Sequence, residues 1–283
     1  MDRKNLKVNP LLETYQMYID KIEEAIESEL SLYNRSEFAE PLRYAVRDGK
    51  RIRPLILILA AECTGVVDKN TYAASCAIEL LHTESVIHDD IIDDETSRRH
   101  REPFHIKYGY NTSILTGDFV LGLILNISSK INNPRITKDL ATTAMLMSEG
   151  EMIESRLEVT EDVTFDDYLK VIEYKTATAF EVSARIGAII GGGTEAQVDT
   201  LTRYGRNIGI AYQIRDDLLD WKNEDKLFNL LIKKSQDPRI VFDKTEDLLE
   251  KYARMARDSL TGLPNSTPKS LLDQLIQFTS FKE

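Results

Sequence analysis

Two five-residue segments of this sequence carry three aspartates each. One reads Asp-Asp-Ile-Ile-Asp at 89–93 and the other reads Asp-Asp-Leu-Leu-Asp at 216–220. On a helix, residues four apart share one face, so the first and last aspartate of each segment lie about one turn from each other. Both segments adjoin strongly apolar residues, where unpaired carboxylates are costly to bury. The spacing therefore predicts that bound cations neutralise these aspartates.

The oxygen-only donor set favours Mg²⁺ over Zn²⁺ or Cu²⁺. Because Mg²⁺ completes its shell with water and phosphate oxygens, two facing aspartate clusters would hold a diphosphate between them through several ions. A solvated acidic helix face would explain one such segment, but two identical segments favour a metal site. A ferritin-like di-metal site would need Glu together with Glu-x-x-His motifs, and the sequence contains no such pair of motifs.

Basic residues form two clusters that suit a second diphosphate. Arg98 and Arg99 follow the first aspartate segment, and a run from Lys50 to Arg53 stands before Pro54. Arginine and lysine clusters beside a magnesium site would bind an anion that the metal ions do not reach. Taken alone, the run at 50–53 would indicate no more than an exposed helix start.

The scaffold that positions these groups is predicted to be all-α. The 283 residues contain only 13 Gly and 8 Pro, on which the turns between strands depend. Apolar residues recur every three or four positions almost throughout, which is the period of a helix. The sequence shows no internal repeat and no linker, so one domain over 1–283 is expected. It would be a bundle of long helices. The predicted helices cover residues 10–31, 36–47, 52–64, 70–94, 111–132, 136–157, 164–173, 175–190, 195–222, 243–260 and 268–281.

Composition restricts the partners and the compartment. The formal net charge of -11 disfavours nonspecific binding of nucleic acid. No apolar signal core follows the charged N-terminus, and the longest apolar runs, 54–61 and 119–125, are shorter than the roughly 20 residues that span a bilayer. Cys63 and Cys76 lie in apolar stretches without metal-ligand spacing. These features predict a soluble cytoplasmic protein with buried, reduced thiols.

The order of the motifs resembles that of the trans-isoprenyl diphosphate synthases, the polyprenyl synthase family, from about residue 40 to 221. The matching segments are Gly-Lys-Arg-Ile-Arg-Pro at 49–54, Glu-Leu-Leu-His at 79–82, Ile-His-Asp-Asp-Ile-Ile-Asp at 87–93, Arg98-Arg99, Thr-Gly-Asp at 116–118, Lys175-Thr176, and Gly-Ile-Ala-Tyr-Gln-Ile-Arg-Asp-Asp-Leu-Leu-Asp at 209–220. The resemblance implies an isoprenoid-synthase bundle of antiparallel helices around a central apolar cavity, and a homodimer. It also implies condensation of an allylic diphosphate with isopentenyl diphosphate to a longer all-trans prenyl diphosphate.

The resemblance implies a role for each matching residue. Mg²⁺ and the allylic diphosphate would be bound by Asp89, Asp90, Asp93, Asp216, Asp217 and Asp220. Arg98 would contact the allylic diphosphate directly, and isopentenyl diphosphate would be held by Lys50, Arg53, His82 and Arg99. The reaction centre would be lined by Lys175, Thr176 and Gln213. Oxygens of the last two would stabilise the carbocation, and the released diphosphate would take the final proton.

Two places depart from the family pattern. After Asp220 the family usually has a glycine- and lysine-rich loop that helps to cover the diphosphates, whereas residues 221–239 contain lysines but no glycine. At 149–154, Glu-Gly-Glu-Met-Ile-Glu stands where the family commonly has Gly-Gln-x-x-Asp. Glu151 and Glu154 therefore lengthen or charge two polar positions. Altered activity and a merely polar helix turn facing the cavity are both compatible with this change.

Product length in this family depends on side chains of the helix before the first motif. A large aromatic residue four or five positions before Asp89 would stop growth at C15, but Ser85 and Glu84 occupy these positions. Ser85 is small, so the tunnel should extend further, and Leu81 offers moderate bulk one turn on. Glu84 is unusual in an apolar tunnel and would turn toward a partner subunit. The expected product is C20 to C25, geranylgeranyl or geranylfarnesyl diphosphate.

Three other functions are open at this point. A non-catalytic or regulatory subunit of a heteromeric prenyl synthase would explain the altered loop after Asp220. A class I terpene cyclase shares the metal-assisted ionisation, but such enzymes usually lack the paired arginines and the isopentenyl site. A helical scaffold would have no chemistry. The six intact motif aspartates and the basic clusters favour the synthase.

Overall fold

The computed structural model describes residues 10–97, 101–160, 162–221 and 227–277, and the regular elements in these ranges are all helical. The helices are α1 (Pro10–Ser31), α2 (Ala39–Val46), α3 (Ile52–Thr64), α4 (Lys69–Ile92), α5 (Phe104–Tyr108), α6 (Tyr110–Ile131), α7 (Pro134–Thr160), α8 (Phe165–Val171), α9 (Thr178–Ile190), α10 (Glu195–Leu219), α11 (Leu227–Lys234), α12 (Pro238–Leu260) and α13 (Thr267–Gln277). A π-helical segment, Ile172–Ala177, joins α8 to α9. The predicted all-α fold class is confirmed.

The core forms around α3, α9 and α10. Residues 54–61 of α3 are all buried, because this helix is apolar on every side and must be surrounded by other helices. α3 packs against α9 and α4, while α10 packs between α9 and α12. The two helices that carry the aspartates, α4 and α10, are buried over much of their length.

Several helix ends follow from the local sequence. Thr164 and Thr194 each accept a hydrogen bond from the backbone N–H three residues on, and that residue's side chain accepts one from the threonine N–H. Both helices thus begin with a capping box. The predicted stop after α9 is also present: Gly191 follows the last helical residue and Gly192 adopts a φ of 83°.

The helices differ from the prediction in their boundaries and in number. The predicted break at 174 is wrong, because the π-helical segment continues the chain from α8 into α9. α12 starts at Pro238 instead of 243, because Asp237 caps the helix and proline is favoured in its first turn. The short helices α5 and α11 lie outside the predicted ranges. The predicted end of the last helix, at 281, lies outside the described residues.

α6 has one face in the core and one face outside it. Val120, Ile124 and Ile127 are buried, and the helix packs mainly against α4. Within the described part of the chain, α6 is the one helix whose length and apolar composition would suffice to cross a membrane, and 39% of its most apolar stretch is buried in the protein. A core helix of a water-soluble protein also meets this criterion, so the composition of α6 alone does not identify what covers its outer face.

Candidate active site

A cavity of about 960 Å³ lies among α3, α4, α7, the π-helical segment and α10. It brings together most of the residues that the sequence singled out: Lys50, Arg53, His82, Ser85, Asp89, Asp93, Lys175, Thr176, Gln213, Asp216, Asp217 and Asp220. Asp90, Leu81 and Glu84 are not in its wall. Arg98 and Arg99 lie outside the described residues. These residues therefore converge on one cavity from distant parts of the chain.

Both aspartate segments end a helix that points into this cavity. Asp93 follows the last residue of α4 and Asp220 follows the last residue of α10, and each donates its N–H to the carbonyl of the first aspartate of its segment, at 2.9 Å. The C-terminal end of a helix carries partial negative charge, so the helix itself disfavours carboxylates there. Cations are needed at both places for this reason as well as for the mutual repulsion of the aspartates.

The second aspartate of each segment is buried, whereas the first and last are partly or fully exposed. Asp90 is 2% exposed. Asp217 accepts hydrogen bonds from Tyr168 Oη at 2.8 Å and from Gln213 Nε2 at 2.9 Å. The metal-binding role that the resemblance implies for all six aspartates is therefore best suited to Asp89, Asp93, Asp216 and Asp220. The burial of Asp90 and the hydrogen bonds of Asp217 favour a structural role for these two residues.

The carboxylates at the cavity are hard to ionise without a bound cation. Burial raises the pKa of Asp89 to about 8, with a further contribution from Glu151 and an opposing one from Lys175. Burial also raises the pKa values of Asp93 and Asp216. The surroundings of these aspartates disfavour their negative charge, and a bound hard cation such as Mg²⁺ would offset that cost.

No three His, Cys, Asp or Glu side chains within 10–97, 101–160, 162–221 and 227–277 are close enough to hold a metal ion by themselves. The two aspartate pairs instead face the same cavity from different helices. Ions bound there would complete their coordination with water and with oxygens of a ligand, as Mg²⁺ does when it is held by one or two carboxylates and a phosphate. The donor set thus fits Mg²⁺ in the presence of a diphosphate.

Lys175 is surrounded by carboxylates. Its Nζ lies 2.5 Å from Glu151 Oε2, 2.6 Å from Glu154 Oε2 and 3.9 Å from Asp89 Oδ1. Although burial opposes its charge, Asp89, Glu154 and Glu151 raise the pKa of Lys175 above its usual value. The sequence marked Glu151 and Glu154 as departures from the family pattern, but it contained no signal that they pair with Lys175.

Gly150 makes this cluster possible. A Cβ atom at this position would lie 2.7 Å from the backbone N of Lys175 and 2.9 Å from Cβ of Tyr174. Only a residue without a side chain lets α7 approach the π-helical segment this closely. The π-helical turn carries Lys175 and Thr176, in line with the frequent occurrence of such turns at functional sites.

A chain of hydrogen bonds orients the other two predicted reaction-centre residues. Thr176 Oγ1 donates to Gln213 Oε1 at 2.9 Å, and Gln213 Nε2 donates to Asp217. The buried Tyr168 donates to the second oxygen of Asp217. Sequence reasoning missed Tyr168, because a tyrosine 49 residues away from its partner leaves no local signal.

The predicted isopentenyl site lies on aromatic surfaces. Lys50 Nζ is 3.4 Å from Tyr212 Oη, and the guanidinium of Arg53 stacks over the Phe180 ring at 4.6 Å. Cation–π contacts of this kind hold a basic side chain in place without neutralising its charge. His82 lines the same cavity. Lys50, Arg53 and His82 are therefore brought together at one cavity.

The three residues predicted to set product length occupy different environments. Ser85 lines the cavity, where Met147 of α7 is a further wall residue that sequence reasoning missed. Leu81 is buried in the core. The Glu84 side chain contacts His88, one turn further along α4, with 3.3 Å between Oε1 and Nδ1. A direct role in the tunnel wall is therefore supported for Ser85 but not for Leu81 or Glu84.

The family profile described as polyprenyl synthetase matches residues 35–231. The chain belongs to this family. The resemblance to trans-isoprenyl diphosphate synthases is thereby confirmed, and the matched region includes both aspartate segments and the basic run at 50–53.

Named relatives and solved structures agree with this assignment. A geranylgeranyl diphosphate synthase of Methanosarcina mazei is 37% identical over 205 residues, which are 70% of this chain and 63% of that protein. An octaprenyl diphosphate synthase of Haemophilus influenzae is 35% identical, over 72% of this chain and 66% of the relative. The chain thus matches slightly less than two thirds of the length of these two relatives.

The fold extends beyond the matched sequence. The crystal structure of a decaprenyl diphosphate synthase from Rhodobacter capsulatus superposes with a TM-score of 0.85 at 25% identity, over 95% of this chain and 97% of that one. A geranylgeranyl pyrophosphate synthetase from Pyrococcus horikoshii superposes with a TM-score of 0.84 at 26% identity, over 97% and 99%. The isoprenoid-synthase fold is therefore confirmed for nearly the whole chain.

Proposed function

We propose that this protein is a Mg²⁺-dependent trans-prenyltransferase, which condenses an allylic diphosphate with isopentenyl diphosphate to a longer all-trans prenyl diphosphate. The observation that carries the proposal is the convergence of two aspartate pairs, Lys175 and the basic run at 50–53 on one cavity. Family membership supports the same reaction class. Neither a non-catalytic subunit nor a terpene cyclase is favoured by the named relatives, which are prenyl diphosphate synthases.

The allylic diphosphate is proposed to bind between the two aspartate pairs. Mg²⁺ held by Asp89, Asp93, Asp216 and Asp220 would neutralise the charge that develops on the leaving diphosphate. Lys175 stands beside Asp89, and Glu151 and Glu154 hold its ammonium group in place there. A cation already in place when the C–O bond breaks needs no reorganisation during the reaction, which is the most effective form of electrostatic catalysis.

The carbocation is proposed to be stabilised by the hydroxyl oxygen of Thr176. Its hydrogen is directed at Gln213 Oε1, which leaves the oxygen lone pairs available on the side that lines the cavity. Apolar wall residues such as Val86, Val171 and Ile172 would exclude water from the cation. The diphosphate released in the first step would then accept the proton lost from the new carbon chain.

Isopentenyl diphosphate is proposed to bind at Lys50, Arg53 and His82, with Arg99 as a further predicted ligand outside the described residues. The basic side chains suit an anion that no metal ion contacts. Binding here would direct the double bond toward the allylic carbon, which converts a bimolecular encounter into a reaction between positioned partners.

A product of C20 to C25 is proposed on the basis of Ser85. The small side chain leaves the cavity wall open one turn below Asp89, so a C15 chain would meet no aromatic barrier there. The names of the relatives do not decide the length, because a geranylgeranyl and an octaprenyl synthase are almost equally similar to this chain.

A homodimer is proposed on the basis of exposed apolar side chains. Along one face of α6 these are Tyr110, Ile114, Leu121 and Leu125, and along α7 they are Met145, Met152 and Val159. Apolar surface of this extent indicates an interaction site. A second copy suits it better than a bilayer, because the opposite face of α6 packs in the core against α4. A single domain and a cytoplasmic location stay predictions of the sequence.

The test is product analysis with purified protein, isopentenyl diphosphate, Mg²⁺ and C5, C10, C15 or C20 allylic primers. The proposal expects elongation of each accepted primer and products longer than C15. Products ending cleanly at C15 would contradict the length proposal alone. Release of a hydrocarbon without use of isopentenyl diphosphate would indicate a cyclase, and no reaction with any primer would contradict the proposed function.

A further inference from the structure

The loop between α2 and α3 has an unusual backbone conformation. Asp48 and Arg51 adopt φ values of 63° and 55°, in the left-handed region that residues other than glycine rarely occupy. Arg51 is at the same time buried, with 2% of its side chain exposed. Both features cost free energy, so strong interactions of the Arg51 side chain must hold the loop in this form.

The guanidinium of Arg51 is bonded on every nitrogen. Nη1 lies 2.5 Å from Glu79 Oε1, Nε donates to Glu23 Oε1 at 2.7 Å, and Nη2 donates to the carbonyl of Val46 at 2.6 Å. Glu79 is 5% exposed and Glu23 is 48% exposed. Arg51 thereby connects α1, α4 and the end of α2 at one point.

The chain around Arg51 is shaped to fit this cluster. A Cβ atom on Gly49 would lie 2.1 Å from Arg51 Nη1 and 2.6 Å from Glu79 Oε1. Gly49 is therefore required where the loop passes over the ion pair. Glu79 precedes His82 by one turn on α4, so the cluster adjoins two parts of the predicted isopentenyl site.

We propose that Arg51 is a positioning residue for isopentenyl diphosphate, and that Glu79 and Glu23 are the supports through which it acts. Lys50 and Arg53 lie on either side of Arg51 in the sequence, and Arg51 and Glu79 contribute to the wall of the same cavity as these two residues. Because Glu23, Glu79 and the carbonyl of Val46 hold the Arg51 side chain, the backbone directs Lys50 and Arg53 into the cavity at a constant separation. The inference rests on the proposed function, because it concerns the second substrate of that reaction.

Direct binding of the diphosphate by Arg51 is a weaker explanation of the same residue. Its three nitrogens already donate to Glu79, Glu23 and Val46. Four of the five N–H groups of the guanidinium are used in this way, and with only 2% of its side chain exposed Arg51 offers a diphosphate little surface to contact. Arg51 therefore acts on the substrate through the loop that carries Lys50 and Arg53.

Because Glu79 and Glu23 are negatively charged, the proposal can be tested by whether their replacement strengthens or weakens the binding of isopentenyl diphosphate. Replacing Glu79 or Glu23 by glutamine removes a negative charge close to a site for an anion. Electrostatics alone would therefore make isopentenyl diphosphate bind more tightly. A positioning role predicts the opposite, because a loosened Arg51 lets Lys50 and Arg53 move apart.

The experiment compares Glu79→Gln, Glu23→Gln and Arg51→Lys with wild type in the full-length protein. The expected result is a rise of about tenfold in KM and Kd for isopentenyl diphosphate, as for the loss of one charge-assisted hydrogen bond. KM for the allylic substrate and kcat should change less than twofold. Calorimetry with isopentenyl diphosphate alone gives Kd, and thermal unfolding reports whether each variant is folded.

Glu27→Gln is the matched control. Glu27 lies one turn after Glu23 on α1, is 61% exposed, and pairs with Arg43 at 2.8 Å away from the cavity. Glu27→Gln should leave the KM values for isopentenyl diphosphate and for the allylic substrate unchanged. If Glu79→Gln does not fold, Glu23→Gln, at a half-exposed position, still tests the proposal.

Unchanged or tighter binding of isopentenyl diphosphate in the folded variants would overturn the proposal, as would equal losses for both substrates. If wild type binds isopentenyl diphosphate without condensing it, the proposed function fails, while the calorimetric comparison still tests Arg51. If wild type does not bind isopentenyl diphosphate, both ideas fail.

Discussion

Asp89 is held in surroundings that disfavour its charge. Burial raises its pKa to about 8, and the negative end of α4 adds to the cost of ionisation. Such a residue contributes little to the stability of the metal-free fold, which indicates that its position serves ligand binding. Asp217 has the opposite character, since two hydrogen bonds from Tyr168 and Gln213 tie its carboxylate into the protein.

This contrast predicts different outcomes for two chemically identical substitutions. Asp89→Asn should lower kcat/KM by about 100-fold or more, because several kcal/mol of metal-assisted stabilisation is lost. Its Tm in EDTA should stay the same or rise, since an unfavourable charge is removed. Asp217→Asn should lower the Tm in EDTA. Steady-state kinetics and thermal unfolding test both variants, and a lowered Tm for Asp89→Asn would contradict the assignment.

The raised pKa values also predict how pH affects the metal-free protein. A carboxyl group with a raised pKa in the folded state binds its proton more tightly there than in the unfolded chain, so stability falls as pH rises through this interval. For Asp89 the interval extends from about 4 to about 8. Burial raises the pKa of Glu158 to about 7, with the same sign of effect.

The Tm in EDTA should therefore fall between pH 6 and pH 8, and addition of Mg²⁺ with a diphosphate should raise it more at pH 8 than at pH 6. Thermal unfolding at the two pH values measures both effects. Asp89→Asn serves as the control, because it should show a weaker dependence on pH. An equal stabilisation at both pH values would contradict the assignment of Asp89 as a ligand.

The sequence predicted the parts of the site that depend on local spacing. Aspartates four residues apart had to share a helix face. The contacts of Lys175 with Glu151 and Glu154 join residues more than 20 apart, and they depend on how closely two helices approach. Spacing along the chain carries no information on that distance.

At the scale of the elements, the π-helical segment is the feature that positions the reaction centre. It carries Lys175 and Thr176, and α7 and α10 approach it at positions without a side chain. Gly209 of α10 would place a Cβ atom 2.8 Å from Cα of Ala177. The sequence analysis started a new helix at 175, whereas the structure continues from α8 into α9 through one wider turn.

Gly150→Ala tests the close approach of α7. The new methyl group would meet the backbone of Lys175, so α7 must move away, with a loss of about 1–3 kcal/mol in unfolding free energy. Activity should fall as well, because Glu151 and Glu154 move away from Lys175. Glu149→Ala, at the exposed neighbouring position, should leave both unchanged. Urea unfolding and kinetics measure the effects, and a fully stable, active Gly150→Ala would contradict this account.

For the whole molecule, the central question is what covers the exposed face of α6. Ile114 on this face is 55% exposed, and Ile240 on α12 is 63% exposed. If the α6 face joins two copies, Ile114→Arg should shift the protein from dimer toward monomer, because an unpaired charge is disfavoured in an apolar interface. Ile240→Arg should have no such effect. Sedimentation equilibrium measures the mass, and dimers that persist in Ile114→Arg would contradict the proposed face.

The fold as a whole was more predictable than the site, since the scarcity of glycine and proline and the helical period act over the entire chain. α11 was missed because it has only eight residues, fewer than are needed to recognise the helical period of apolar residues. The outward face of α6 gave no signal either, because an apolar face toward a second subunit and one toward the core have the same period.

The most direct test of the central claim is the ratio of diphosphate released to isopentenyl diphosphate consumed, measured with a C15 primer in Mg²⁺ and again in EDTA. Condensation predicts equal amounts in Mg²⁺, no turnover in EDTA, and at most trace turnover in Asp89→Asn. Diphosphate released without consumption of isopentenyl diphosphate, or turnover that persists in EDTA, would contradict the assignment of this cavity as a metal-dependent prenyl transfer site.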